Sequence, residues 1–257
     1  MQTYLVKAPL FAAYALVARD TALAQTEALF PGPISYPATE PRSVAVGDMN
    51  LDGIPDIVVA SNSTNSVSVR LGLGGGMFGA ATAYAVGMYP QDVKLGDFSG
   101  DGVLDMVVAN GGSNSVAVLL GPGTGAFETS VNYALDWQAK DLATGDFDND
   151  GWLDVAVLDY TGFVNVFLGQ GGGVLGAPTK YVPPSSTSSS MEIHDLSGDG
   201  LLDLVLAQPY SSSVSVLLGQ GGGAFGAPAS YSTIFGAWPQ TVVTGDMNGD
   251  GLVDLVV

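Results

Sequence analysis

One nine-residue pattern recurs five times along this chain: DMNLDGIPD from Asp48, DFSGDGVLD from Asp97, DFDNDGWLD from Asp146, DLSGDGLLD from Asp195 and DMNGDGLVD from Asp246. Successive copies start 49, 49, 49 and 51 residues apart. So regular an interval means one supersecondary unit copied in tandem, each copy relying on its neighbours to cover an apolar face it cannot bury alone.

Within the unit the order is constant. A short apolar stretch enters the acidic turn (SVAVGD, DVKLGD, DLATGD, MEIHD, TVVTGD), and a near-continuous apolar run leaves it (DIVVA, DMVVA, DVAVL, DLVLA, DLVV). A polar turn, an alternating run (SVSVRLG, SVAVLLG, FVNVFLG, SVSVLLG), a Gly-rich turn and a last stretch ending near Tyr84, Tyr133, Tyr181 or Tyr231 follow. These read as four strands of about four to eight residues, rich in Val and bounded by Gly, Asn, Ser and Pro. Four short antiparallel strands every 40 to 50 residues or so are the blades of a propeller.

The expected fold is therefore all-β, a β-propeller of four-stranded antiparallel blades occupying residues 25–257. Four full repeats lie at about 43–91, 92–140, 141–189 and 190–240, with a partial fifth at 241–257. The segment FPGPISYPATEPR, Phe30 to Arg42, matches the last strand of a preceding blade and is expected to close the ring. The fifth unit stops inside its second strand, so the expectation is a chain truncated from a larger ring, with a compact five-blade ring as the alternative. A content of 36 Gly and 14 Pro with only 12% charged residues fits strands and tight turns rather than helices.

Each acidic turn carries the oxygen donors that a calcium ion takes, six to eight ligands at roughly 2.3 to 2.6 Å from carboxylates and carbonyls on a curled loop. In the first copy the side-chain ligands are Asp48, Asn50, Asp52 and Asp56, with the backbone carbonyl of Ile54. The second set is Asp97, Ser99, Asp101 and Asp105 with Val103; the third is Asp146, Asp148, Asp150 and Asp154 with Trp152. The fourth is Asp195, Ser197, Asp199 and Asp203 with Leu201, and the fifth Asp246, Asn248, Asp250 and Asp254 with Leu252. A Gly follows the third ligand every time (Gly53, Gly102, Gly151, Gly200, Gly251), where a metal loop bends sharply. Position twelve holds Val59, Val108, Val157, Leu206 or Val257, where an EF-hand places a bidentate Glu, so this is a different loop.

About five Ca²⁺ ions, one per turn and structural in role, are expected. The formal charge is −18, and 16 of the 25 acidic residues sit in the five turns, where only a cation relieves their repulsion. Mg²⁺, which demands tight octahedral geometry and keeps its waters, suits the turns less well. The same charge argues against a nucleic-acid groove. There are no cysteines, which removes disulfide, zinc-thiolate and iron–sulfur chemistry. Lys7, the apolar run Ala8–Ala18 and the cleavage-like Ala22-Leu23-Ala24 read as a secretory signal over residues 1–24; Arg19 and Asp20 depart from that pattern, and the alternative is an ordinary N-terminal helix. That run is too short to span a bilayer, and no other segment resembles a membrane span.

The DxDxDGxxD-like turns, together with LGQGGGVLGAP (Leu168 to Pro178) and LGQGGGAFGAP (Leu218 to Pro228), resemble the FG-GAP or VCBS-type repeats of integrin alpha-subunit propellers, some fungal lectins and many secreted bacterial proteins. The resemblance covers about Phe30 to Val257. It implies a propeller with calcium between the first and second strands, used for adhesion or for carbohydrate or protein recognition outside the cell. Departures are Glu128-Thr129-Ser130 in place of GAP, His194 in place of the Gly that precedes the other turns, and the incomplete fifth unit.

The Gly triplets at 74–76, 171–173 and 221–223 recur between strands three and four with no following helix, so they read as hairpin turns rather than phosphate cradles. The Ser-rich run from Ser185 to Ser190 reads as a surface loop. Meander geometry places the calcium turns and Gly turns at one end of the blades. The two-to-three turns and the interblade connections lie at the other. Those connections carry Tyr89 and Gln91, Trp137 and Gln138, Trp238 and Gln240, rings beside amides of the kind that stack on and hydrogen-bond a glycan or protein ligand. The alternative is that the rings plug the blade junctions. No catalytic constellation stands out, so a non-enzymatic module is expected; the alternative is a propeller serving, or forming, a secreted polysaccharide-processing enzyme.

Overall fold

The computed structural model of the chain describes residues 34–183, 188–234 and 238–257. The segment expected to be a secretory signal and Phe30–Pro33 lie outside them; of the remainder of the expected closing strand, Ile34–Glu40 contains no strand and Pro41–Arg42 open the inner strand of the first blade. The chain divides after Tyr36, and every strand belongs to the unit Pro37–Val257.

Four sheets of four strands form in sequence. The first blade holds Pro41–Gly47, Asp56–Ser61, Ser66–Arg70 and Thr82–Ala85. The second holds Pro90–Gly96, Asp105–Asn110, Ser115–Leu119 and Val131–Ala134. The third holds Ala139–Gly145, Asp154–Asp159, Val164–Phe167 and Thr179–Tyr181, and the fourth Ser190–His194, Asp203–Gln208, Ser213–Leu217 and Ala229–Ser232. A fifth sheet pairs Val243–Gly245 with Asp254–Val256. Each is an antiparallel meander, and no α-helix occurs among the described residues. This is a β-propeller.

The apolar runs become strands because neighbouring blades cover both faces. Every residue of the second strand in blades two, three and four is buried. The core is accordingly a series of layers between blades. Val58, Val67 and Val69 of the first blade pack with Met106, Val108 and Leu119 of the second, and the same layering repeats at the next three junctions. On the uncovered side of the first blade, Val44 and Val46 remain 46% and 45% exposed.

The glycine before each turn has a steric reason. A Cβ on Gly47 would stand 2.5 Å from Leu104 of the next blade, one on Gly96 2.5 Å from Leu153, and one on Gly145 2.6 Å from Leu202. The fourth blade has His194 there, and the fifth blade carries the smaller Val253 where the second, third and fourth have leucine. His194 Nδ1 lies 3.2 Å from Thr244 Oγ1 in the fifth blade, a structural contact.

Register sets the turns in place. The residue before each turn pairs with the turn's last Asp, as Gly47 with Asp56, Gly96 with Asp105, Gly145 with Asp154, His194 with Asp203 and Gly245 with Asp254. Every acidic turn is thus the closed end of a hairpin. The Gly triplets are turns too, all with positive φ. The Ser-rich run is not wholly a surface loop: Ser188 is 3% exposed and Ser190 opens a strand, while residues 184–187 lie outside the described ones.

Candidate metal centre

The third turn is the most acidic. Asp146 accepts the N–H groups of Asp150 at 3.1 Å and Gly151 at 2.9 Å, which curls the backbone around its carboxylate. The curl needs a left-handed residue, and Gly151 supplies φ +92°. The equivalent Gly53, Gly102, Gly200 and Gly251 have φ between +81° and +84°. Ligand-bearing oxygens of Asp146, Asp148 and Asp154 all lie within 4.8 Å of one another. The group does not include Asp150, whose Oδ1 accepts the N–H of Trp152 at 2.8 Å.

That fifth-position bond recurs in every turn: Ile54 donates to Asp52, Val103 to Asp101, Leu201 to Asp199 and Leu252 to Asp250. The third position varies. Ser99 Oγ lies 3.4 Å from Asp97 Oδ1 and Ser197 Oγ 3.5 Å from Asp195 Oδ1, so both hydroxyls are brought beside the first carboxylate. Asn50 turns its amide nitrogen to Asp52 at 2.9 Å, and Asn248 accepts the N–H of Asp250 at 2.8 Å.

The last Asp does more than close the ligand set. Asp154 is fully buried; its Oδ2 accepts the N–H of Phe147 at 2.7 Å and its Oδ1 that of Gly169 at 2.6 Å. It therefore ties the turn, the second strand and the exit of the third strand together. Asp56 does the same with Met49 and Gly72, Asp105 with Phe98 and Gly121, and Asp203 with Leu196 and Gly219. The residue pattern alone showed these as ligands only; that they anchor three segments depends on contacts about 16 residues apart.

Electrostatics at the third turn call for a cation. Burial, with the charges of Asp148 and Asp146 behind it, pushes the Asp154 carboxyl up to about 6, although the Gly169 and Phe147 N–H groups oppose this. Burial and the neighbouring Asp150 and Asp146 charges also raise Asp148. In contrast, the N–H of Gly200 leads a set of backbone donors that hold Asp195 below the usual range, and the N–H of Gly251 leads one that does so for Asp246. Oxygen-only donors on a curled loop, with three carboxylates converging at the third turn, fit calcium, which when bound would supply charge neutralisation and a multi-oxygen cross-link.

These turns also touch the following blade. The Gly turns donate to the carbonyl just inside the preceding blade's acidic turn: Gly125 to Met49 at 3.1 Å, Gly173 to Phe98 at 2.9 Å and Gly223 to Phe147 at 3.2 Å.

The opposite end of the blades carries a row of clefts. One of about 240 Å³ is lined by Tyr89, Gln91, Gln138 and Tyr160. A second, of about 360 Å³, contains Tyr160, Lys140, Tyr210, Trp238 and Gln240, and a third, of about 520 Å³, is walled by Trp238, Gln240, Leu255 and Val257. Tyr89, Tyr160, Tyr210 and Trp238 are between 52% and 71% exposed, so they are not plugs of the junctions. Trp137, also exposed, lines none of these three clefts. Sequence reading missed Lys140, Tyr160 and Tyr210 as site residues, although Tyr160 and Tyr210 stand in the two-to-three turns already assigned to this face.

A propeller whose hairpin ends carry acidic, oxygen-rich loops is the class that fold and site define. The FG-GAP-like repeat family matches at residues 48–108, 97–157, 146–206 and 195–257, and the chain belongs to that family. No curated protein matches the chain. Solved structures with a similar fold include a protein from Lactobacillus plantarum, at TM-score 0.57 and 16% identity over 79% of this chain and 59% of that one. A functionally unknown protein from Desulfotomaculum acetoxidans aligns at TM-score 0.54 and 20% identity, over 78% of this chain and 63% of that one. The Photorhabdus luminescens Tc holotoxin pore aligns at TM-score 0.50 and 18% identity, over 88% of this chain but 11% of its own. The chain thus spans less than two thirds of each of these structures. No helix among the described residues is long and apolar enough to cross a membrane.

Proposed function

We propose that this chain is an extracellular, non-enzymatic recognition module whose five acidic turns take calcium as structural clasps and whose opposite end binds a glycan or a protein. The observation that carries this reading is the division of labour between the ends of the blades. Carboxylates gather in the hairpin turns at one end, while exposed aromatic rings and amides line clefts at the other. Calcium held in a turn stabilises the fold by about 1.4 kcal/mol when its concentration is tenfold above Kd.

Titration calorimetry with calcium, followed by thermal melts in excess calcium and in excess EGTA, tests the first half. Uptake of about five ions and a lower melting temperature in EGTA are expected; neither uptake nor a shift would overturn it. A glycan array probed with and without chelator tests the second half. Retention of an intact sugar supports recognition, and turnover of the sugar supports a polysaccharide-processing enzyme instead.

A further inference from the structure

The middle cleft, between the third and fourth blades, contains a cation without a counter-ion. Lys140 is half-buried at the start of its strand and donates from Nζ to the carbonyl of Ser188 at 2.8 Å. Its nearest ring is that of Tyr160, whose centroid lies 5.5 Å from Nζ. Ion pairs among the described residues are Lys94 with Asp92 and Lys180 with Asp136, so Lys140 has none. The adjacent Asp141 carboxylate is turned to the N–H of Met191. An ammonium that loses water without a carboxylate in direct contact is held at a cost, and burial depresses its pKa against the weaker pull of the Asp141 charge.

A second group beside the same cleft also lacks a partner. Ser188 lines the cleft, and its Oγ, buried beneath the surface, makes no hydrogen bond. Around these two groups stand the rings of Tyr160, Tyr210 and Trp238, the last two packed edge to face at 5.2 Å. A ligand suited to this cleft offers an anion for Lys140 and apolar faces for the rings. The acidic turns, which hold most of the negative charge, lie at the far end of the blades and do not oppose it here. The cleft adjoins its neighbour through Tyr160, forming a track from Tyr89 and Gln91 in the second blade to Trp238 and Gln240 in the fifth.

Resting on the recognition reading above, we propose that Lys140 binds the carboxylate of a uronic-acid residue in a linear acidic polysaccharide, whose flanking sugars run along the adjoining cleft toward Tyr89 and Gln91. An acidic side chain of a protein would satisfy Lys140 but would leave the run of aromatic clefts unused, which favours the sugar chain.

The test is calorimetry on the full chain in calcium-containing buffer. The probes are a galacturonate tetramer, a hyaluronan tetrasaccharide, the methyl ester of the first, a neutral galactose tetramer and an Asp-bearing peptide. At least one uronate probe is expected to bind, with affinity falling tenfold or more on methyl esterification of the galacturonate probe, on added salt or on Lys140→Gln, and being regained in Lys140→Arg. The equivalent strand position already holds Gln91 and Gln240, so Lys140→Gln is expected to fold, and an unchanged melting temperature confirms it. Binding of the neutral tetramer or the peptide in place of the uronates, or uronate binding indifferent to Lys140→Gln, overturns the proposal while leaving recognition standing. Failure of all five probes, with a blank glycan array, overturns both.

Discussion

The carboxylate of Asp141 in the third blade accepts the backbone N–H of Met191 in the fourth, at 2.8 Å. The same position recurs at each junction: Asp92 accepts from Leu142 at 3.1 Å, and Ser190 from Val242 at 3.4 Å. Blades are therefore stitched side to side by one inner-strand side chain per repeat, as well as by the apolar layers between them.

That stitch makes stability depend on pH. Burial, then the neighbouring Asp92 carboxylate, pushes Asp141 up from 3.8 to about 7, against the Met191 N–H and the Lys94 ammonium; Glu192 also stands in this cluster, raised by its own burial. The folded state thus holds a proton that the unfolded chain releases, so the contribution of Asp141 is complete below about pH 4 and lost as pH rises through about 7. Asp141→Asn keeps an acceptor for Met191 without the charge. Its melting temperature, relative to the parent, is expected to be unchanged near pH 4 and to rise progressively toward pH 8; a constant difference across that range would contradict this.

Two carboxylates of one turn are expected to behave differently. Asp154→Ala strands the buried N–H groups of Phe147 and Gly169, each worth roughly 1 to 3 kcal/mol when unsatisfied, and so destabilises with or without calcium. Asp148→Ala, at a more exposed position, is expected to lower stability in calcium and leave the melt in EGTA nearly unchanged. Chemical denaturation of both variants in the two buffers checks the contrast.

Leu51 occupies the left-handed region at φ +61°, where the second, fourth and fifth turns place Gly100, Gly198 and Gly249. A non-glycine residue there costs roughly 1 to 2 kcal/mol. Leu51 is 60% exposed, so little packing opposes the change, and Leu51→Gly is expected to stabilise by about 1 kcal/mol in urea denaturation.

The Tyr181 hydroxyl accepts the N–H of Phe225 at 3.2 Å and donates to the carbonyl of Gly223 at 3.4 Å, both in the next blade. Tyr133 repeats this with Leu175 and Gly173. Tyr181→Phe is expected to cost about 1 to 2 kcal/mol by denaturant titration, because the amide of Phe225 loses its acceptor.

The fold was legible because the repeat writes each strand several times over, and the acidic turns were legible because Asp spacing and the following Gly are local. The rest depends on what register brings together. Tyr160 and Tyr210 meet Lys140 and Trp238 only once two-to-three turns are laid against interblade connections from the neighbouring repeat. The glycines before the turns were visible, but their cause, a leucine of the following blade, was not. Neither was the anchoring role of Asp154, since Gly169 lies beyond the next hairpin.

The bonds from Gly125, Gly173 and Gly223 all point backward along the chain, to Met49, Phe98 and Phe147. During synthesis an acidic turn is therefore completed late, when the ribosome has delivered the following repeat's glycines. Maturation travels from the amino end one repeat behind translation, and a pause between repeats leaves the newest turn without its brace.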